Sequence, residues 1–243
     1  MREVLYILFL VAPILLTGSL SLAVRISQTS LRLILAFSAA YLFALAIMHL
    51  LPEAYSAGNA KLSGLFIVLG FCVQLFIDTF STGIEHGHVH LHSHDCKTHL
   101  PSGIIIGLFL HSLLEGLPLY DISLNRYSSV NPQLVFGLAL HNIPITLAFV
   151  ALLVEHHTGT LKKWLLLLGF SLMSPLGYLI SYLLQNFGFR NYQMFGGLAF
   201  ALVIGIFLHI STAILFESSE QHKYNRSKIL IMTVGILLAY LIS

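Results

Sequence analysis

His111 and Glu115, within the motif HSLLEG, are the residues of this chain whose types and spacing most clearly indicate chemistry. They lie four positions apart in an apolar run from about residue 103 to 120, so on an α-helix they share one face. A carboxylate near the centre of a bilayer costs roughly 2.5 to 3.5 kcal/mol on insertion scales and needs a partner that offsets this cost. A divalent cation is such a partner, because an imidazole and a carboxylate can bind the same ion.

His141 is the third candidate ligand, and it lies in the next apolar run, in HNIP. Pro144 has no backbone N–H and leaves the carbonyl of Leu140 without its helical donor, which is tolerated at membrane depth where the backbone is buried in protein or lines a cavity. Asn142 has three readings of equal weight: a ligand, a partner of a ligand, or a helix–helix hydrogen bond. The pattern predicts a transition-metal site shared by two adjacent membrane helices.

Gly116 and Pro118 follow the first pair of candidate ligands. The glycine offers a small surface that permits close approach of a neighbouring helix. The proline cannot donate a backbone hydrogen bond, and we expect it to leave the carbonyl of Leu114 free beside the site.

A histidine-rich segment, HGHVHLHSHDCKTH, precedes this run. Alternation places its first five histidines on one side of an extended segment, and neutral imidazole is a common zinc ligand. A merely solubilising loop is the alternative, but polarity alone would not select histidine so repeatedly. Residues 86–102 are therefore predicted to form a metal-binding loop suited to buffering, sensing or hand-off. Its histidines are His86, His88, His90, His92, His94 and His99.

Three further polar features occur within or at the ends of apolar runs. His49 and Glu53, in MHLLPEA, share a helical face and are either an interfacial helix end or a point where metal enters. Gln74 and Asp78 also share a face, and serve either interhelical hydrogen bonding or the ion path. His209 has no acid four residues later, so interhelical bonding is favoured over metal ligation.

The composition predicts an all-α, polytopic membrane protein: 57% of the 243 residues are hydrophobic and 9% are charged, with a mean hydropathy of +0.87. The net charge of +2 is too small to indicate a nucleic-acid partner, and two cysteines do not make a disulfide framework. We expect one transmembrane domain over residues 1–243, with a first helix that is retained rather than cleaved as a signal.

Turn signals and charges divide the chain into eight candidate spans, of which the fourth and the last look short for a crossing helix of about 20 residues. Histidine–glutamate pairs in the second and seventh spans favour an inverted repeat of three spans on either side of the central two. The spans are 4–24, 31–51, 62–80, 103–120, 133–154, 161–184, 195–216 and 228–243.

Basic residues in the loops indicate the orientation. With the N-terminus outside, eight basic residues lie inside and four outside, so the positive-inside rule places both termini on the extracytoplasmic side and the histidine-rich loop in the cytosol. The inside set is Arg25, Arg32, Lys97, Lys162, Lys163, Lys223, Arg226 and Lys228, and the outside set is Arg2, Lys61, Arg126 and Arg190.

Taken together, the motifs HSLLEG, HNIP, MHLLPEA and SPLG, with the histidine-rich loop, make the whole chain resemble the ZIP family of zinc and iron transporters. The resemblance implies eight helices with both termini extracytoplasmic, in a plasma or inner membrane, and a homodimer as one oligomeric state. It implies movement of divalent metal into the cytoplasm by an elevator-like slide. The implied ligands are His111, Glu115 and His141, with Ser112 and Asn142 at neighbouring motif positions.

The chain departs from the family pattern at three acidic positions. Many relatives have a glutamate directly after the fifth-helix proline and an acidic residue before it, where this chain has Ile145 and Asn142. Several have Glu-Pro in the sixth helix, where this chain has Ser174 and Pro175. The sequence therefore predicts one metal position rather than two.

These observations predict a secondary transporter for zinc or a similar divalent cation, including iron(II), manganese and cadmium. The missing carboxylates make a non-transporting membrane metal sensor the alternative. An enzyme is not expected, because no HExxH motif is present, and no cofactor is expected apart from the transported metal.

Overall fold

The computed structural model describes residues 2–23, 27–56, 59–81, 101–120, 132–187, 192–217 and 226–242, and every regular element in these ranges is a helix. The all-α prediction is confirmed. The helices are α1 (Arg2–Ala23), α2 (Gln28–Leu45), α3 (Leu51–Ser56), α4 (Ala60–Ser81), α5 (Ser102–Gly116), α6 (Pro132–Glu155), α7 (Thr160–Asn186), α8 (Tyr192–Glu217) and α9 (Arg226–Ile242).

Seven helical segments of the described chain are long and apolar enough to cross a membrane. One of them, Thr29–Ser56, combines α2 and α3, and another, Ser102–Leu119, extends α5 by a 3₁₀ turn. The predicted last span corresponds to α9, which has 17 residues and packs along α2. The expectation that the fourth and last spans are short is confirmed, since Ser102–Leu119 has 18 residues and α9 has 17. The described chain thus has seven segments of crossing length, one fewer than the eight predicted, and α9 falls just below that length.

A single π-helical turn, Ala46–Leu50, joins α2 to α3. In it the N–H of Leu51 donates to the carbonyl of Ala46. Pro52 comes directly after Leu51. It has no N–H, and its ring would clash with a carbonyl of the preceding turn in a regular α-helix; the wider π-helical turn makes room for the ring. His49 lies within this turn, a type of irregularity that is frequent at functional sites.

The helices pack in two groups. The α2 group consists of α2, α4, α8 and α9, and the α5 group consists of α1, α5, α6 and α7. An inverted repeat would make α1, α2 and α4 equivalent to α7, α8 and α9, in that order, and α5 equivalent to α6. The packed pair α4–α8 then corresponds to the packed pair α9–α2, and the packed pair α1–α6 corresponds to the packed pair α7–α5. This pairing agrees with the predicted three-plus-two-plus-three inverted layout.

Glycines allow α4 and α8 to approach at backbone distance. A Cβ atom at Gly70 would overlap the carbonyl oxygen of Leu202, and one at Gly205 would overlap the carbonyl oxygen of Ile67. Small residues at such contacts are the usual basis of tight packing between membrane helices. The two helices therefore form a closely joined unit within the α2 group.

Large apolar side chains remain exposed on several helices, for example Leu65 on α4, Leu161 on α7 and Leu230 on α9. Buried aromatic residues, such as Tyr41, Phe149 and Phe207, fill the interior. An apolar exterior around a packed interior is the arrangement expected for a bundle surrounded by lipid.

Candidate metal site

Helix α5 places His111 and Glu115 on its buried face. The side chain of His111 is 1% exposed and that of Glu115 is 0% exposed, and Nε2 of the histidine lies 3.0 Å from Oε1 of the glutamate. The separation of four residues produces this contact, because positions i and i+4 lie above one another on a helix. The sequence-predicted pair is therefore formed within one turn.

The end of α5 differs from the expectation. The carbonyl of Leu114 is not free, because the N–H of Leu117 donates to it as the helix tightens into the 3₁₀ turn Leu117–Leu119. The loss of a donor at Pro118 is thus compensated locally by an i to i+3 bond.

Helix α6 brings His141 to the same place. It continues through Pro144 without interruption, and His141 is fully buried. Its Nε2 lies 3.9 Å from Oε1 of Glu115, and its ring is 6.0 Å from the ring of His111 at an interplanar angle of 79°. The ligand atoms of the three residues all lie within 4.8 Å of one another, and no other group of this kind occurs among the described residues.

These distances suit a cation of the size of zinc after small side-chain rotations. Zinc binds imidazole nitrogen and carboxylate oxygen at about 2.0 to 2.2 Å, which places two tetrahedral ligands about 3.3 Å apart. The separations of 3.0 Å and 3.9 Å bracket this value. Two imidazoles and a carboxylate leave a fourth coordination position for water or another ligand, unlike a closed structural site.

The site contains a charge that the protein itself does not satisfy. Both carboxylate oxygens of Glu115 and both polar atoms of the Asn142 side chain are buried and form no hydrogen bond within the described part of the chain. Leaving such groups unpaired costs free energy, more for an ionised group than for an amide. A bound cation would remove the larger part of this cost.

Close contact between α5 and α7 supports the site from one side. Ser112 and Ser174 share a buried hydrogen bond of 2.9 Å between their hydroxyl oxygens. A Cβ atom at Gly116 would overlap the carbonyl oxygen of Ser174, which confirms the close approach predicted for this glycine. The Ser112 hydroxyl therefore bonds to α7, and a role for Ser112 or Asn142 as a ligand stays a prediction.

The Nδ1 atoms of both histidines, on the far side from the glutamate, meet polar side chains of the α2 group. Nδ1 of His141 lies 3.3 Å from the hydroxyl of Ser38, and Nδ1 of His111 lies 3.0 Å from Oε1 of Gln74. Sequence reasoning gave Gln74 a role in interhelical hydrogen bonding or the ion path without naming its partner, and it missed Ser38. A serine in a membrane helix carries no signal that would distinguish it from one that bonds its own backbone.

Asp78 and His209 form a second histidine–carboxylate pair, between α4 and α8. Nε2 of His209 lies 2.7 Å from Oδ2 of Asp78, and Nε2 of Gln74 donates to Oδ1 at 2.8 Å. The interhelical role favoured for His209 is confirmed. The carboxylate of Asp78 belongs to this hydrogen-bonded network and not to the group of three ligands.

The remaining candidate ligands stay predictions. His49 and Glu53 are half-buried, on the π turn and α3, and do not belong to the group of converging ligands. The histidines of the predicted cytosolic loop lie outside the described residues.

A helical bundle with an apolar exterior and a buried imidazole–carboxylate centre defines an integral multi-pass membrane protein with a candidate cation site. A family model described as ZIP Zinc transporter matches residues 4–103 and 102–243. The chain belongs to the ZIP zinc transporter family, a family of metal transporters, as its motifs predicted. Comparison with curated protein sequences gives no match.

Proposed function

We propose that this protein moves zinc or a similar divalent cation across the membrane toward the cytoplasm, through a single site formed by His111, Glu115 and His141. The observation that carries the proposal is the convergence of these three buried side chains within 4.8 Å around an otherwise unsatisfied carboxylate. Nitrogen and oxygen ligands without thiolate suit zinc and iron(II) and disfavour copper(I).

The charge of the site suits transport better than permanent retention. One carboxylate and two neutral imidazoles leave a divalent ion with a unit of net positive charge in a buried place, which limits affinity. The family's acidic positions hold uncharged residues here: Ile145 is fully buried in an apolar cluster, and Ser174 bonds to Ser112. We therefore propose one metal position.

The orientation completes the proposal. Both termini are extracytoplasmic and the loop after α4 is cytosolic, where its histidines accept the released metal. The protein lies in a plasma or inner membrane, and a homodimer is the proposed assembly. The accessibility of a cysteine in this loop, probed in intact cells, tests this topology. Labelling of that cysteine by a reagent applied from outside would contradict it.

Uptake of labelled zinc into proteoliposomes tests the transport function. We expect Glu115→Ala to reduce the initial rate by more than about 100-fold, because the variant loses the only carboxylate among the converging ligands. Glu155→Ala is the matched control, since Glu155 is exposed at the end of α6 and should leave the rate unchanged. Equal flux in the wild type and Glu115→Ala would overturn the assignment.

A non-transporting metal sensor is the second candidate function, and the absence of acidic side chains at Asn142, Ile145 and Ser174 favours it. Such a sensor would bind metal at the same three ligands without flux. Cadmium binding that depends on Glu115, in a chain that shows no zinc uptake after reconstitution, would establish the sensor and overturn the transporter.

A further inference from the structure

Four side chains on three helices form one hydrogen-bonded chain that ends at the candidate ligand His111. Nδ1 of His111 on α5 contacts Oε1 of Gln74 on α4 at 3.0 Å. The amide nitrogen of Gln74 donates to Asp78 one turn along α4, and Asp78 is bonded in turn to His209 on α8. Gln74 itself is fully buried, so its amide is held by these contacts and not by solvent.

The carboxylate of Asp78 determines which group donates and which accepts in each of these hydrogen bonds. An ionised carboxylate only accepts hydrogen bonds, so Asp78 must face the NH₂ group of Gln74, which leaves the amide oxygen facing His111. An amide oxygen also only accepts, so Nδ1 of His111 carries the proton and donates to it. A neutral imidazole has one N–H, and Nε2 of His111 therefore presents a lone pair toward Glu115.

We propose that Gln74 is a positioning residue: anchored by Asp78 and His209, it holds His111 in the Nδ1–H tautomer and directs the Nε2 lone pair at the metal. The inference rests on the proposed function, because it treats His111 as a ligand. Ligating histidines generally donate their other ring N–H to a carboxylate, carbonyl or water, which fixes the tautomer and ring orientation. Here the carboxylate of Asp78 fixes the orientation of the Gln74 amide, and the amide oxygen in turn fixes the position of the proton on His111.

The anchor belongs to the α2 group, whereas the ligand belongs to the α5 group. Backbone contact at Gly70 and Gly205 holds α4 against α8, and the ring of Phe71 packs edge-on against His209 with centroids 4.7 Å apart. The donor–acceptor order is thus set by a closely packed pair of helices outside the group that carries the ligands.

The tautomer has a consequence for the metal-free site. With the proton on Nδ1, two electron-rich atoms, Nε2 of His111 and Oε1 of Glu115, face each other at 3.0 Å. This contact is unfavourable until a cation lies between or beside them, so Gln74 prepares the site for a positive ion.

Two variants and one control test the role of Gln74 in the full-length protein in detergent. Gln74→Leu keeps the approximate volume and removes the acceptor, and Asp78→Asn keeps the shape and allows the Gln74 amide to reverse. Gln185→Leu is the matched control, because Gln185 is exposed near the end of α7. Nitrogen-15 NMR of the metal-free protein reports the tautomer, with His111 assigned from signals missing in His111→Ala. Cadmium-113 NMR reports affinity at the site whose signal is lost in Glu115→Gln.

We expect His111 to be protonated on Nδ1 in the wild type and in Gln185→Leu. Gln74→Leu should shift the proton toward Nε2 and lower cadmium affinity about 10- to 100-fold, and Asp78→Asn should produce a smaller change of the same kind. A wild-type His111 protonated on Nε2 would overturn the proposal. Gln74→Leu with an unchanged tautomer and an affinity within about twofold of Gln185→Leu would also overturn it.

The proposed function and the role of Gln74 are tested by different measurements. The tautomer is measured without metal and does not depend on transport. If the proposed function is wrong, the wild type shows no zinc flux, or shows no cadmium binding that depends on Glu115. A wrong role for Gln74 shows itself as an unchanged His111 tautomer in Gln74→Leu, whatever the flux.

Discussion

Two histidine–carboxylate pairs of this protein have the same chemistry and different surroundings. Asp78 and His209 come from different helices, and both oxygens of this carboxylate receive hydrogen bonds, at 2.7 Å and 2.8 Å. Glu115 and His111 come from one helix turn, and both oxygens of that carboxylate are buried without a hydrogen bond in the described chain. The first carboxylate is satisfied by its neighbours, and the second is the one that the proposed cation would satisfy.

Burial sharpens the difference. The side chains of His209 and Asp78 are 9% and 14% exposed, whereas those of His111 and Glu115 are 1% and 0% exposed. A satisfied pair near the rim costs little, but a dry and unsatisfied carboxylate is retained only where something else offsets its desolvation. The comparison makes four predictions.

The largest expected effect is stabilisation by metal that requires the carboxylate of Glu115 and not that of Asp78. Zinc at about 100 times its dissociation constant should raise the free energy of unfolding of the wild type by about 2.7 kcal/mol. The increase should vanish in Glu115→Gln and persist at a reduced level in Asp78→Asn, as measured by thermal unfolding in detergent. Any metal bound by the predicted loop histidines would also be bound in the unfolded chain and would therefore contribute little to the difference. An equal response in Glu115→Gln would contradict the distinction between the pairs.

The two isosteric substitutions should change metal-free stability in opposite directions. The amide of Glu115→Gln can donate to the Nε2 lone pair of His111, so this variant should be more stable than the wild type with chelator present. Asp78→Asn replaces one of two oxygens, each of which accepts a hydrogen bond, with an NH₂ group, and should be less stable. Each change is expected to be about 1 to 3 kcal/mol, read from the unfolding midpoint. Destabilisation of both variants to the same extent would mean that the two carboxylates are equally satisfied.

Metal affinity should fall as the pH falls, because imidazole ligands must lose their proton to bind. Between about pH 7 and pH 5 we expect a decrease of at least tenfold in cadmium affinity at the Glu115-dependent site, measured by cadmium-113 NMR. The same slope is expected in Asp78→Asn, since His209 is not among the converging side chains. An affinity that is flat across this range would exclude His111 and His141 as ligands.

Sequence reasoning predicted the class of fold and the converging ligands for clear physical reasons. Apolar runs of crossing length define membrane helices without knowledge of their packing. The spacing of His111 and Glu115 fixes their shared face before any tertiary structure is known. The convergence with His141 required more, namely that α5 and α6 bring these side chains to one place, and the sequence supported it only through adjacency and the family motifs.

The supporting residues were much less predictable. Ser38 lies 103 residues from His141 in the sequence, and Gln74 lies 37 residues from His111, so both contacts depend on how the α2 group packs against the α5 group. The free carbonyl expected at Leu114 was wrong because a 3₁₀ turn supplied a donor that helical periodicity does not anticipate. Local spacing thus identified the candidate ligands, whereas tertiary packing determines which side chains hydrogen-bond to them.

Ser38 provides the smallest predicted effect and a direct contrast with Gln74. A serine hydroxyl both donates and accepts, so its 3.3 Å contact with Nδ1 of His141 orients the ring without selecting a tautomer. Ser38→Ala should therefore lower cadmium affinity only about two- to fivefold, the effect of one neutral hydrogen bond, and leave the protonation of His111 unchanged. Cadmium-113 and nitrogen-15 NMR of this variant beside Gln74→Leu measure both quantities. A loss in Ser38→Ala as large as that in Gln74→Leu would show that ring orientation alone determines affinity, because the two contacts differ in whether the partner dictates where the proton lies.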